Sequence, residues 1–257
     1  MKYLLFVMFV LFLGGCTFNE KQDTTISSTD FKKLDTTLSF AGYWLSESYL
    51  KDIQQHKSPQ KSQEGSEDCM VIIPERTLQP TSVIWNFHEG SPEMRVVKNG
   101  NQYQLYESID DSLTQLYNNI TILSPTKISI GEKGFVKITP HVNPHEAGNP
   151  LILEEILFKG TYSLPDGQKV IFKNNGQVSG LEDVQFYEAA IDYIGPGMQV
   201  DQLSLSATKD KKNWMGFKFQ GDTLLVFNLK CVEYDKANET CGWVDFGELK
   251  YTLVKQK

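Results

Sequence analysis

The sequence predicts a mainly β protein: one antiparallel barrel, or two smaller barrel or sandwich halves, with one or two short helices. Three observations predict it. The apolar segments are short, mostly of roughly 4–8 residues, and rich in β-branched and aromatic side chains. Tight-turn pairs punctuate them, with Asn99-Gly100, Asn175-Gly176 and Gly221-Asp222 the clearest. Long amphipathic helices do not alternate with the strands, which argues against a parallel α/β sheet. A membrane-spanning barrel needs strands of about 9–11 residues, and most segments here are shorter.

In chain order, Phe40 to Leu45 reads as the first strand. Ser46 to Lys57 follows as a short helix, because Tyr49, Leu50 and Ile53 share one face at helical spacing. Ser58-Pro59 ends it, and the polar stretch to Asp68 reads as a loop. Cys69 to Ile73 and Ser82 to Phe87 are strands. Met94 to Val97 and Tyr103 to Tyr106 pair across Asn99-Gly100. Asp110 to Asn118 reads as a second short helix. Thr121 to Leu123, Lys127 to Ile130 and Phe135 to Ile138 resume the strands. Pro140 to Pro150, carrying His141 and His145, is the internal boundary. Beyond it, the strands are Leu153 to Leu164, Lys169 to Lys173, Val184 to Ile194, Gln202 to Ala207, Trp214 to Gln220, Thr223 to Cys231 and Glu248 to Val254. Phe40-Ala41-Gly42-Tyr43-Trp44 echoes Phe158-Lys159-Gly160-Thr161-Tyr162, either by chance or as two copies of one half.

The amino terminus carries the clearest functional signal. Met1-Lys2 precedes an unbroken apolar run from Tyr3 to Leu13. As a helix that run rises only about 16 Å, too short for a hydrocarbon core about 30 Å thick. A short apolar segment behind a positive start is the pattern of a signal peptide. It ends in Leu13-Gly14-Gly15-Cys16, which resembles the lipobox of bacterial lipoproteins. That resemblance implies cleavage before Cys16 and fatty acylation of it, giving a protein lipid-anchored on a membrane of the cell envelope. Thr17 after the cysteine favours the outer membrane. The expected organisation is 1–15 signal peptide, 16–38 lipidated flexible tether and 39–257 β-rich domain, divisible into halves 39–150 and 151–257. The chain as a whole resembles lipoproteins of Bacteroidota. Thr24 and Thr36, in Asp-Thr-Thr triplets, resemble the O-glycosylation signal of those bacteria.

Composition narrows the partners. The formal net charge is −7, and Arg76 and Arg95 are the only arginines, which argues against nucleic acid as a partner. Export permits disulfides. Cys231 and Cys241 flank a nine-residue segment between two strands, so a bridge there would staple the loop and contribute about 2–3 kcal/mol. The alternative is two free thiols. Cys69 reads as a small buried apolar residue.

Gly42-Tyr43-Trp44 resembles the G-x-W motif that opens lipocalins, and Ile191-Asp192-Tyr193 resembles their later T-D-Y motif. The resemblance implies a lipocalin-like barrel holding a small apolar ligand. It departs from the family in lacking the arginine that covers the motif tryptophan; Lys250 and Lys255 are the cations near the last strand. Candidate ligand-binding residues are Trp44, Trp85, Phe87, Trp214 and Phe217. The same aromatics would equally serve as core, in which case the barrel is solid and partners dock on loops such as Gln54–Asp68 or Pro140–Pro150.

No enzyme, cofactor or metal site is expected. His141, His145 and Glu146 lie in a proline-broken loop, which favours an ordinary solvated loop over a metal site. His88-Glu89 is the one acid–base pair a hydrolase could use. Three S-x-x-K matches, at Ser58, Ser124 and Ser206, lack the companion motifs of β-lactamases.

Overall fold

The computed structural model describes residues 36–63, 68–110, 112–142 and 150–256. The signal peptide, Cys16, Thr24 and His145 lie outside the described residues. Among the described residues, the chain forms two closed antiparallel barrels of eight strands each, one after the other in sequence.

The first barrel comprises β1 (Gly42–Ser46), β2 (Met70–Ile73), β3 (Pro80–Ile84), β4 (Met94–Asn99), β5 (Gln102–Ile109), β6 (Ser112–Ser124), β7 (Lys127–Ile130) and β8 (Lys133–Ile138). Each strand pairs with the next, and β1 closes on β8. Two short helices, α1 (Glu47–His56) and α2 (Pro59–Gln63), follow β1. The second barrel comprises β9 (Gly160–Ser163), β10 (Lys169–Phe172), β11 (Gln177–Leu181), β12 (Val184–Ala189), β13 (Gln202–Ser206), β14 (Trp214–Gln220), β15 (Thr223–Asp235) and β16 (Thr240–Lys255), with β9 closing on β16. A single π-helical turn, Glu154–Phe158, leads into it.

Four expectations are corrected. Residues 112–118, expected as part of a helix from Asp110, are not helical. They begin β6, where pairing with β5 overrides local preference. Leu153–Leu164 is not one strand: Leu153 and Leu157 fall at helical spacing and are buried together, so the chain turns there before β9 starts. The strand from Val184 stops at Ala189. Residues 36–38, which the sequence assigns to the end of the tether, pack on the first barrel. Thr36 and Thr77 exchange backbone and hydroxyl hydrogen bonds, Thr37 bridges Arg76, and Leu38 is buried. Thr36 is therefore a half-buried part of the first barrel.

The two barrels are closed by the same device. Gly42 opens β1 and Gly160 opens β9, both at positive φ (128° and 150°). Two residues on, an aromatic points inward and its polar atom donates back to the preceding phenylalanine. Trp44 Nε1–H bonds the Phe40 carbonyl at 2.9 Å, and Tyr162 O–H bonds that of Phe158 at 2.9 Å. A lysine directly opposite on the last strand covers each ring: Lys137 Nζ lies 5.4 Å from the Trp44 ring, and Lys255 Nζ lies 5.6 Å from that of Tyr162. The cation over Trp44 is thus Lys137 of the first barrel's own last strand.

The first barrel is filled by Trp44, Val71, Ile73, Met94, Leu105, Ile128 and Phe135, with neighbours. The second is filled by Phe158, Tyr162, Phe172, Tyr187, Leu203, Phe217 and Leu253, among others. The latter core runs on without a break into the seam between the barrels, taking in Leu45, Cys69 and Met70 from the outer side of β1–β2 and Tyr49 and Ile53 from α1. This explains why Cys69–Ile73 is apolar without alternation: one face lines a barrel and the other lines the seam. Polar contacts tie the same seam. Gln60 N–H donates to Asp201 at 2.9 Å, and the Lys57 ammonium donates to the Gly221 carbonyl at 2.6 Å.

Candidate functional site

Two features of the second barrel stand outside its filled interior. The first is the β15–β16 hairpin. Strand β14 accompanies β15 only from Thr223 to Asn228, and β9 accompanies β16 only at Val254 and Lys255. Beyond those points the two long strands continue as a two-stranded arm. The Cys231–Cys241 disulfide crosses it, with Cα atoms 5.8 Å apart. The bridge lies within the paired arm, where bulges shift the register and place Tyr234 opposite Cys241. The tip turn is locked by Asp235, whose carboxylate accepts from the Ala237 and Asn238 amides and from the Asn238 side chain at 2.8, 3.3 and 2.7 Å. These bonds hold the Asp235 carboxyl below its ordinary range, the Asn238 side chain contributing most.

The β12–β13 loop braces the arm. Gly197 N–H donates to the Gly242 carbonyl at 3.0 Å, and the Val244 amide donates to Gln199 Oε1 at 3.0 Å. Phe227 and Phe246 pack edge to face at 5.0 Å, with Lys218 Nζ 3.9 Å from the Phe246 ring. Apolar side chains nevertheless remain in water along the arm: Val232 is 58%, Tyr234 56% and Trp243 49% exposed. A rigid arm presenting exposed Trp and Tyr has the composition of a protein-contact hot spot.

The second feature is a cleft of about 480 Å³ between the segment entering the second barrel and the end of β12. Ile152, Leu153 and Ala189 form apolar lining, Trp214 stands at its rim, and Glu154, Glu188, Asp192 and Lys212 supply charge. Glu154 is buried and accepts the Ala189 amide at 2.7 Å. Burial pushes its carboxyl up to about 7. Lys212 pairs with Glu188 at 2.7 Å and lies 5.7 Å from the Trp214 ring. Asp192 accepts from His88 of the first barrel at 2.8 Å, and this bond raises the imidazole's pKa.

The five candidate ligand aromatics therefore separate. Trp44 and Phe217 are fully buried in the two cores, and Trp85 packs against the first. Phe87 stacks edge to face on Tyr49 at 5.1 Å in the seam. Trp214 alone of the five reaches a described cleft. His88 finds Asp192 rather than Glu89, whose amide bonds Asn86. Within the expected loop Gln54–Asp68, Lys57 and Gln60 hydrogen-bond the second barrel, while Gln54, Gln55, His56 and Lys61 are exposed. Among the described residues, no three metal-ligating side chains come together and no helix is long and apolar enough to cross a membrane. Glu154 is legible in the sequence only as one of two acidic residues, with Glu155, inside the apolar run from Leu151 to Phe158.

Comparison with protein-family models, with characterised proteins and with solved structures returns no match for this chain.

Proposed function

We propose that the protein is a lipid-tethered interaction module of the cell envelope, anchored through Cys16 and docking a protein partner with the stapled β15–β16 arm. The observation that carries this reading is the exposure of Val232, Tyr234 and Trp243 on a disulfide-crossed arm outside a barrel already filled by its own side chains. Rigid aromatic anchors lose little entropy on docking, because the staple and the Asp235 turn have already ordered them. The anchor rests on the Leu13-Gly14-Gly15-Cys16 pattern and keeps the module at a membrane surface, where tethering raises its effective concentration for neighbouring partners. The test is photo-crosslinking in intact cells with benzoylphenylalanine at position 243. The expected result is one discrete protein adduct that disappears with Tyr234→Ser. Absence of any adduct above that from a probe at Lys98, on the first barrel, would reject the reading.

A further inference from the structure

We infer that the cleft beside β12 binds a small organic ammonium ion with an apolar body, a site separate from the hairpin arm. Its volume of about 480 Å³ falls within the roughly 300–1,000 Å³ of small-molecule sites. Three carboxylates line it against one lysine. Two of those carboxylates already have partners, Glu188 in the Lys212 ammonium and Asp192 in the His88 imidazole. Glu154, nearly fully buried, has only amide hydrogen bonds, and no cation pairs with it among the described residues.

An unpaired carboxylate in an apolar wall is costly, and an ammonium group is the ligand chemistry that relieves it. The low local dielectric strengthens that pairing. The apolar lining at Ile152, Leu153 and Ala189 accommodates the ligand body. Trp214, 37% exposed at the rim, already carries a cation over its ring in Lys212, so this edge of the cleft suits positive charge. An anionic ligand would face three carboxylates, and a purely apolar one would leave Glu154 unpaired. The chain's net charge of −7 attracts cations to the surface in general.

The test titrates 2-phenylethylamine, 2-phenylethanol and 3-phenylpropionate into the full folded chain by calorimetry. The three probes share one body and differ in charge. The amine is expected to saturate with a Kd of about 1 mM or tighter, and about tenfold or more below that of the other two. Glu154→Gln keeps an oxygen for the Ala189 amide, so its fold should persist, as its melting curve will report. It should weaken the amine about tenfold and leave the alcohol unchanged. Lys212→Met removes the competing cation and should tighten the amine, a gain that damage to packing would not produce. Trp243→Ser, on the arm, should change none of these values. Failure of the amine to saturate, equal binding of the propionate, or an unaltered amine affinity in Glu154→Gln would overturn the assignment.

Discussion

Glu154 and the paired glycines Gly42 and Gly160 show how single side chains set the molecule's energetics. Because burial raises the Glu154 carboxyl from 4.5 to about 7, the folded state holds that proton more tightly than the unfolded chain does. Its contribution therefore favours folding at low pH and is lost as pH rises from about 4.5 through 7. Glu154→Gln should flatten this dependence. By urea unfolding, the variant should match the parent near pH 4 and exceed it at pH 8 by up to about 3 kcal/mol. An unchanged pH profile would show that the carboxyl is not desolvated as described. At Gly160, φ is +150° and a methyl group would meet Lys255 Cε at 2.8 Å. Gly160→Ala should thus lower stability by roughly 1–2 kcal/mol, with Gly42→Ala similar, both readable as denaturation midpoints. These glycines were legible as a shared Phe-x-Gly-x-aromatic pattern. The lysines that complete each lock were not, because they come from strands about 95 residues further on and only closure of each barrel brings them across.

At the level of elements, the β15–β16 arm depends on its disulfide because, among the described residues, no further strand flanks it beyond Asn228 and its other support is the β12–β13 loop. A two-stranded ribbon in water is marginal by itself. Closing the ten-residue separation between Cys231 and Cys241 removes about 2–3 kcal/mol of disorder from the open state. The double variant Cys231→Ser/Cys241→Ser should keep the barrel's melting behaviour but open the arm locally, so that trypsin cuts at Lys236 about tenfold faster. Equal cleavage rates would mean that the brace from Gly197 and Gln199 suffices. Turn pairs and the cysteine spacing made this arm readable in the sequence. Its bulges, its length and its exposed face were not, since β16 runs for sixteen residues through Trp243-Val244 and Phe246-Gly247, where no simple alternation marks a strand. The misread helix at 110–118 has the same origin. Its polar, mixed pattern becomes strand only through β5.

For the whole molecule, the decisive property is that the second barrel's core and the seam are one apolar cluster, with Leu45, Tyr49, Ile53 and Met70 on one side and Ile152, Leu157 and Phe158 on the other. Such a seam couples the barrels, so heat should unfold them in one transition, with calorimetric and van't Hoff enthalpies agreeing. Two resolved transitions would show independent domains. The mainly β class was legible from strand length and turns, whereas the seam was not, because side chains facing a neighbouring barrel resemble those facing a barrel interior. The proposed docking through the arm rests on the two filled cores, which would leave recognition to the outer surface. The sharpest check is hydrogen-exchange mass spectrometry of the protein in isolated envelopes, where the proposed anchor would hold it, against the purified chain. Slowed exchange is expected along the arm, residues 229–244, with the barrel strands unchanged. Slowing along interior-facing strands such as Met70–Ile73 or Trp214–Gln220, with the arm unaffected, would overturn the docking proposal.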